Sequence, residues 1–533
     1  MTKIKNPIIP GFSPDASVLQ VGQDYYLTTS TFEWWPGVEI YHSQDLVNWT
    51  VVANPLTRLS QVDLRGNYNS GSIWAPHLSY AQGKFWLIYT DVKTRGAYKD
   101  TLNYLISADN IEGPWSEPSF ISASGFDPCV FHDEDGKSYV INMLYDQRLD
   151  KPGFAGLVIQ ELDLKNRQLV GERQHFFTGT DLGVCEGPQM LKKDGWYYLL
   201  CAAGGTGYSH AATVCRSRNV YGPYEVSPYQ PLLTTKTDPD NPLQKSGHAS
   251  FVEVNPDEWY IVHISARPLR EKGVQRGNCP LGRETSLQPL DWIQDWPRLA
   301  NGTTSPDLWV TAPSIGENVR QRQDYSENVD FGTISKLPIA FKSLRAPLGT
   351  RASLTARPGY LRLFGTQSIT SVHEQTLVAR RWQAFDFRVE TELAFEPKSF
   401  QQLAGLVLFY DTDNYQYLQW SYDEDTQKAY LQIEVAELGE HRYESERHVL
   451  SENTVKLAVT VHKTASQFYL YEGGQWVTLG PVLPADHISD DYIKDHGKLA
   501  FTGAMVGICA QDLDQHSSHA DFKYFNYQET HAE

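Results

Sequence analysis

The stretch Phe12-Ser13-Pro14-Asp15-Ala16-Ser17-Val18, followed closely by Tyr25-Tyr26-Leu27, sets the pattern for the first half of the chain. The same arrangement returns four times. It recurs as Trp74-Ala75-Pro76-His77-Leu78 before Phe85-Trp86-Leu87, and as Asp127-Pro128-Cys129-Val130-Phe131 before Tyr139-Val140-Ile141. The remaining copies are Glu186-Gly187-Pro188-Gln189-Met190 before Trp196-Tyr197-Tyr198, and His248-Ala249-Ser250-Phe251-Val252 before Trp259-Tyr260-Ile261. Each copy runs from one polar or aromatic residue into a short apolar strand, turns at a glycine or at Asn255-Pro256-Asp257, and returns on an aromatic strand. Such pairs read as hairpins.

Repeats that open at 15, 74, 127, 186 and 248 have a long, nearly constant period built of strands, which predicts a radial array of five blades. The first strand of each blade lines the central axis in such an array. Asp15, Trp74, Asp127, Glu186 and His248 are therefore expected to converge at one mouth. Later motifs within the periods, such as Ile40–Trp49 and Leu105–Trp115, have the strand, Ser/Asp/Asn turn and aromatic closure of outer strands.

The period ends by Thr311, so residues 1–311 are read as the propeller and 312–330, with Ala312-Pro313-Ser314 and a polar run, as a linker. From 331 to 533 alternation persists in short strands such as Phe387–Leu393 and Val455–Val461, without helical periodicity. That pattern predicts a jelly-roll-like β-sandwich, making the whole chain all-β.

A length of 533 residues favours two domains. The formal charge of −18 argues against nucleic acid and anionic membranes as partners. The 14 Trp and 30 Tyr suit a strand-rich chain and supply faces on which sugar rings stack. The start of the sequence has no apolar run of signal-peptide length, and six scattered cysteines lack metal-ligand spacing; both lead to the expectation of a cytoplasmic protein with reduced thiols.

Three carboxyls at one mouth, with no Ser/His pair and no metal triplet, point to acid/base chemistry by paired carboxylates. Glycoside hydrolysis is the commonest reaction built that way. A third carboxyl nearby raises the acid's pKa by like-charge repulsion. A propeller used as a protein-interaction platform has no reason to line its axis with two Asp and a Glu.

These residues resemble the family 43 glycoside hydrolases, in particular the intracellular β-xylosidases. The resemblance runs over essentially the whole chain: Ser30–Val38, Trp74-Ala75-Pro76, Ala203–Thr206, Gly247–Ser250, Leu281–Thr285 and Phe501–Ala504 all carry it. It implies inverting, exo-acting release of xylose from β-1,4-xylooligosaccharides, often with α-L-arabinofuranosidase activity. By the same resemblance Asp15 is the general base, Glu186 the general acid and Asp127 the carboxyl that orients and tunes it. Phe32, Trp74, Phe126, Thr206, His248 and Arg283 match sugar-binding positions. Two alternatives remain at this point: a mainly arabinofuranosidase specificity, and a carbohydrate-binding propeller without catalysis. The invertase-like propellers share three axial carboxyls, but their Asp-Pro-Asn-Gly opening is absent here.

The resemblance implies no required cofactor; in some relatives a divalent ion such as calcium lies beside the histidine matched by His248, and nothing in this sequence marks one. It also implies a homo-oligomer, commonly a tetramer, and a sandwich domain that helps complete the pocket. Two departures stand out. The acid motif reads Val184-Cys185-Glu186-Gly187-Pro188-Gln189 where relatives carry Thr-Glu-Gly-Pro-His, and Met505 stands where they send a phenylalanine into the pocket.

Overall fold

The structure, a computed structural model, describes residues 2–94, 96–270, 276–315 and 319–530. The chain divides into two units: residues 1–268 with 283–321, and residues 269–282 with 322–533.

Among the described residues of the first unit, five antiparallel sheets follow one another along the chain, each in sequence order from its inner strand outward. The inner strands are Ser17–Val21, Ser72–Ala81, Cys129–His132, Cys185–Lys193 and Gln244–Asn255. Period-2 alternation explains how each blade packs on two neighbours. On the second strand of the second blade, Phe85, Leu87 and Tyr89 join a cluster with Val38 and Ile40 of the first blade. Trp86 and Ile88, on the opposite face, pack with Val130 and Val140 of the third. In the fifth blade Trp259 and Ile261 meet Tyr198 and Leu200 of the fourth. Tyr260 and Val262 meet Tyr25 and Leu27 of the first, which closes the ring. These strands read as continuous apolar runs because both of their faces are buried.

The chain start fastens that closure. Strand Lys3–Lys5 pairs antiparallel with Trp309–Thr311, and the Asn6 side chain both donates to Leu287 O and accepts from Leu287 N–H, at 2.9 Å each. Further on, Ser13 N–H donates to Arg283 O (2.9 Å), and the Thr285 hydroxyl donates to Ser13 O (2.6 Å). The Arg283 backbone is thereby fixed against Ser13, two residues before Asp15.

The second unit is a sandwich of an eight-stranded and a seven-stranded antiparallel sheet. Strand Asp386–Ala394 shows the alternation clearly: Phe387, Val389 and Leu393 enter the core with Trp420, Leu457 and Phe525, while Arg388, Glu390 and Glu392 face outward. Glu327–Asp330, inside the stretch read as linker, is a strand paired with Tyr524–Tyr527. Its single inward apolar residue, Val329, is too short a signal to read as a strand. The segment 269–282 also belongs to this unit. Asn278 donates to Asp486 (2.9 Å), Cys279 N–H to Asp491 (2.9 Å), and Ala504 N–H to Pro280 O (2.8 Å).

Candidate active site

A left-handed residue stands just before the inner strand in two blades, Asp15 (φ 59°) and Asp127 (φ 52°), and within it in the other three, Ala75 (φ 31°), Gly187 (φ 55°) and His248 (φ 34°). This corrects the repeat register read from sequence. Trp74 and Glu186 stand one position before the equivalent backbone site, which Ala75 and Gly187 occupy. A left-handed conformation at a non-glycine residue costs on the order of 1–3 kcal/mol, and it recurs where function imposes it. The second, fourth and fifth inner strands also break register just there, between Trp74 and His77, Glu186 and Gln189, and Gly247 and Ala249. Such bulges re-aim side chains. The glycine at 187 has a steric reason, since a Cβ there would lie 2.6 Å from the His248 ring.

Asp15 is the most heavily engaged carboxylate. Arg283 Nη1 donates to its Oδ1 at 2.7 Å, and Arg283 Nη2 stands 3.5 Å from Oδ2. The Ser30 hydroxyl donates to Oδ2 (2.7 Å) and itself accepts from Ala75 N–H (2.7 Å). His248 Nδ1 lies 3.4 Å from Oδ1. Burial alone would raise the Asp15 pKa, but Arg283, then His248 and Ser30, outweigh it and hold the group below the ordinary aspartate value.

Glu186 and Asp127 move the other way. Burial, then the charge of Asp15, pushes Glu186 up to about 7 against the pull of Arg283. Burial, then Glu186 and Asp15, pushes Asp127 well above its ordinary range, although Arg283 and the Gly187 N–H oppose this. Both shifts favour the protonated form, so Glu186 keeps its proton up to about pH 7 beside an Asp15 held ionised.

Aromatic rings run beside these carboxyls. Phe32 lies 5.9 Å from Phe12 and 6.3 Å from Trp74, Trp74 meets Phe126 edge-on at 5.3 Å, and Phe126 lies 6.2 Å from Tyr145. Trp74 is held by its indole N–H donating to Ser70 O (3.0 Å). Arg283 lies over the Phe32 ring at 5.8 Å. Thr206 is half-buried in the loop that follows strand Trp196–Ala203, a loop tied to the Glu186 segment by Gly204 N–H donating to Val184 O (3.1 Å). Met505 belongs to the second unit, where it opens strand Met505–Asp512 and pairs with Arg381 and Phe409.

Sequence reasoning passed over Ser30, His210, Phe12 and Tyr145. Ser30 was legible only as part of a motif, because its partner Asp15 is on a different strand. His210 is buried; its Nδ1 faces Lys245 O (3.1 Å) and its ring packs on Gly247. Burial, then His248 and Arg283, pushes it down to about 3, so it is neutral. Among the described residues no group of three or more His, Cys, Asp or Glu is arranged to hold a metal ion, and His248 has Asp15 as its one carboxylate contact within 4 Å there.

Comparison with known proteins gives matches over both units. Residues 4–297 match the model of glycosyl hydrolases family 43, and 328–528 that of the β-xylosidase C-terminal concanavalin A-like domain. The chain is 47% identical to a β-xylosidase of Bacillus subtilis, covering 99% of this chain and 100% of that one. It is 46% identical to xylosidase/arabinosidase 43B of Humicola insolens, over 99% and 98%. The crystal structure of xylan β-1,4-xylosidase from Bacillus halodurans superposes with a TM-score of 0.94 at 46% identity, over 99% and 100%.

Proposed function

The chain belongs to glycosyl hydrolase family 43, and we propose that it is an inverting, exo-acting β-xylosidase that releases xylose from the non-reducing end of β-1,4-xylooligosaccharides, with α-L-arabinofuranosidase activity as a side reaction. One observation carries the reading. Within a single buried cluster Asp15 is held ionised while Glu186 is held protonated to about pH 7. Inverting hydrolysis needs that division of labour: an ionised base to take a proton from water, and an acid to give one to the departing oxygen.

In the proposed cycle the sugar stacks along Phe32, Trp74 and Phe126, with Thr206, His248 and Arg283 ordering its hydroxyls. Asp15, aligned by Arg283 and Ser30, removes a proton from a water that attacks the anomeric carbon. Glu186 protonates the glycosidic oxygen as the bond breaks. Burial and the charge of Asp15 keep the acid's proton available, and Asp127 orients the acid. The products are xylose of inverted configuration and a shortened chain.

The second unit takes part in this proposal through chain connection. Asn278 and Cys279 are held there by Asp486 and Asp491, and Arg283 follows four residues after Cys279. On the resemblance alone we add Met505 as a substrate-contacting residue, a homo-tetrameric assembly and a cytoplasmic location. A panel of xylobiose, arabinan and the nitrophenyl xyloside and arabinofuranoside tests the reading. Xylobiose and nitrophenyl xyloside should turn over fastest; faster release from arabinan than from xylobiose would make arabinofuranosidase the principal activity.

A further inference from the structure

The sandwich carries a polar groove that the reaction does not use. Its volume is about 520 Å³, within the ~300–1,000 Å³ of small-ligand clefts. The register explains it. Arg362, Asp521, Ala394 and Thr454 are consecutive cross-strand partners on four adjacent strands of the eight-stranded sheet. Ala394 continues the outward row of Arg388, Glu390 and Glu392, so the smallest side chain of the row forms a floor between taller neighbours.

The two sides of that floor differ. On one side Asp521, 5% exposed, accepts three hydrogen bonds: from Arg357 Nη1 (3.0 Å), Arg362 Nε (2.7 Å) and Arg362 Nη2 (2.9 Å). Those bonds occupy the carboxylate but not the guanidiniums. Among the described residues Arg357 Nε and Nη2, Arg362 Nη1 and Lys398 Nζ donate no hydrogen bond to protein, although the Arg357 guanidinium lies over the Tyr360 ring at 3.9 Å. Beyond Ala394 stands Thr454 with its neighbour Asn453, and Gln402 and Ser517 add further neutral hydrogen-bonding groups to the lining. The loop bearing Ser517 and Ser518 is fixed by their N–H groups donating to Asp512 (2.8 Å each).

Charge selects the ligand. The lining holds three cations, Arg357, Arg362 and Lys398, against two carboxylates, Asp521 and Glu396, on a chain of net charge −18. His519 adds no charge near neutrality, because burial and Arg362 push it below its ordinary value. Planar guanidinium edges suit a carboxylate, and the amide and hydroxyl groups across the floor suit sugar hydroxyls. A bare phosphate would use only the cationic side.

We propose that this groove binds a carboxylate-bearing sugar, a uronic acid, with its carboxylate on Arg357, Arg362 and Lys398 and its hydroxyls toward Asn453 and Thr454. The site stands apart from the catalytic reading and would hold whichever glycoside the propeller cleaves. It gives the enzyme a hold on acidic branches of a polysaccharide.

The test is ligand-observed NMR titration of the full chain with D-glucuronate, in excess xylose to fill the active site, with inorganic phosphate as a second probe. Glucuronate should bind, and Lys398→Ala and Arg357→Ala should each weaken it about tenfold or more, as loss of a charged hydrogen bond does. Xyloside hydrolysis should be unchanged in both. Among the described residues Lys398 has no ion-pair partner, so its variant keeps the test valid if Arg357→Ala fails to fold. Glucuronate binding untouched by Lys398→Ala, no binding at all, or phosphate binding tighter than glucuronate would overturn the proposal.

Discussion

Replacing Glu186 by alanine separates the two catalytic carboxyls by leaving group. A sugar alkoxide departs badly without a proton, whereas nitrophenolate is stable as an anion and hardly needs one. With the Glu186 pKa at about 7, about half of the enzyme carries the acid's proton at pH 7 and about a tenth at pH 8. The wild-type rate on xylobiose should therefore fall about tenfold per unit above that point. The sign is that of an acid: activity is present below the pKa and lost as pH rises through it. Glu186→Ala should remove this basic limb and lower kcat on xylobiose by roughly 10²–10⁴, with a much smaller loss on nitrophenyl xyloside. Asp15→Asn is the control, since water must be activated whatever leaves; it should fail on both substrates alike. Steady-state assays over pH 5–9 with the two substrates decide the matter. Equal losses in Glu186→Ala, or a surviving basic limb, would refute the assignment.

Ser30→Ala removes the hydroxyl that donates to Asp15 at 2.7 Å; the base's pKa rises, so the acidic limb of kcat/KM should move to higher pH while the basic limb stays. An unmoved acidic limb would show that Ser30 does not tune the base. Gly187→Ala places a methyl 2.6 Å from the His248 ring at φ 55°, and should cost about 1–3 kcal/mol in denaturant unfolding together with most of the activity; wild-type values for both would mean that the corner relaxes freely. Asp491→Ala removes an acceptor of Cys279 N–H, four residues before Arg283. We expect a raised KM for xylobiose with the overall fold kept by circular dichroism, and an unchanged KM would sever the second unit from this role.

The blades were legible because each second strand is apolar on both faces and each hairpin turn is marked by glycine or Asn-Pro-Asp, so local pattern and tertiary packing agree. The repeat pointed to Asp15, Asp127 and Glu186 together, although Glu186 stands one residue before the corner position that Asp15 and Asp127 occupy. What escaped the sequence are features made by neighbours distant along the chain. The left-handed corner residues shift the equivalence to Ala75 and Gly187, and side-chain identity alone aligned Trp74 and Glu186 instead. Ser30 and His210 act through contacts with Asp15 and Gly247, which only the ring brings close. Assignment of segment 269–282 to the second unit depends on Asp486 and Asp491, about two hundred residues later. Such pairings leave no periodic trace.

The most direct measurement on the central claim is the configuration of the first sugar released. Proton NMR of xylobiose hydrolysis, recorded before mutarotation equilibrates the anomers, reads it from the anomeric signals. An Asp15-activated water attacking opposite the departing oxygen must give α-xylose first from the β-linked substrate. Accumulation of β-xylose ahead of the α anomer would mean that a carboxyl attacks the sugar directly, and would contradict the account.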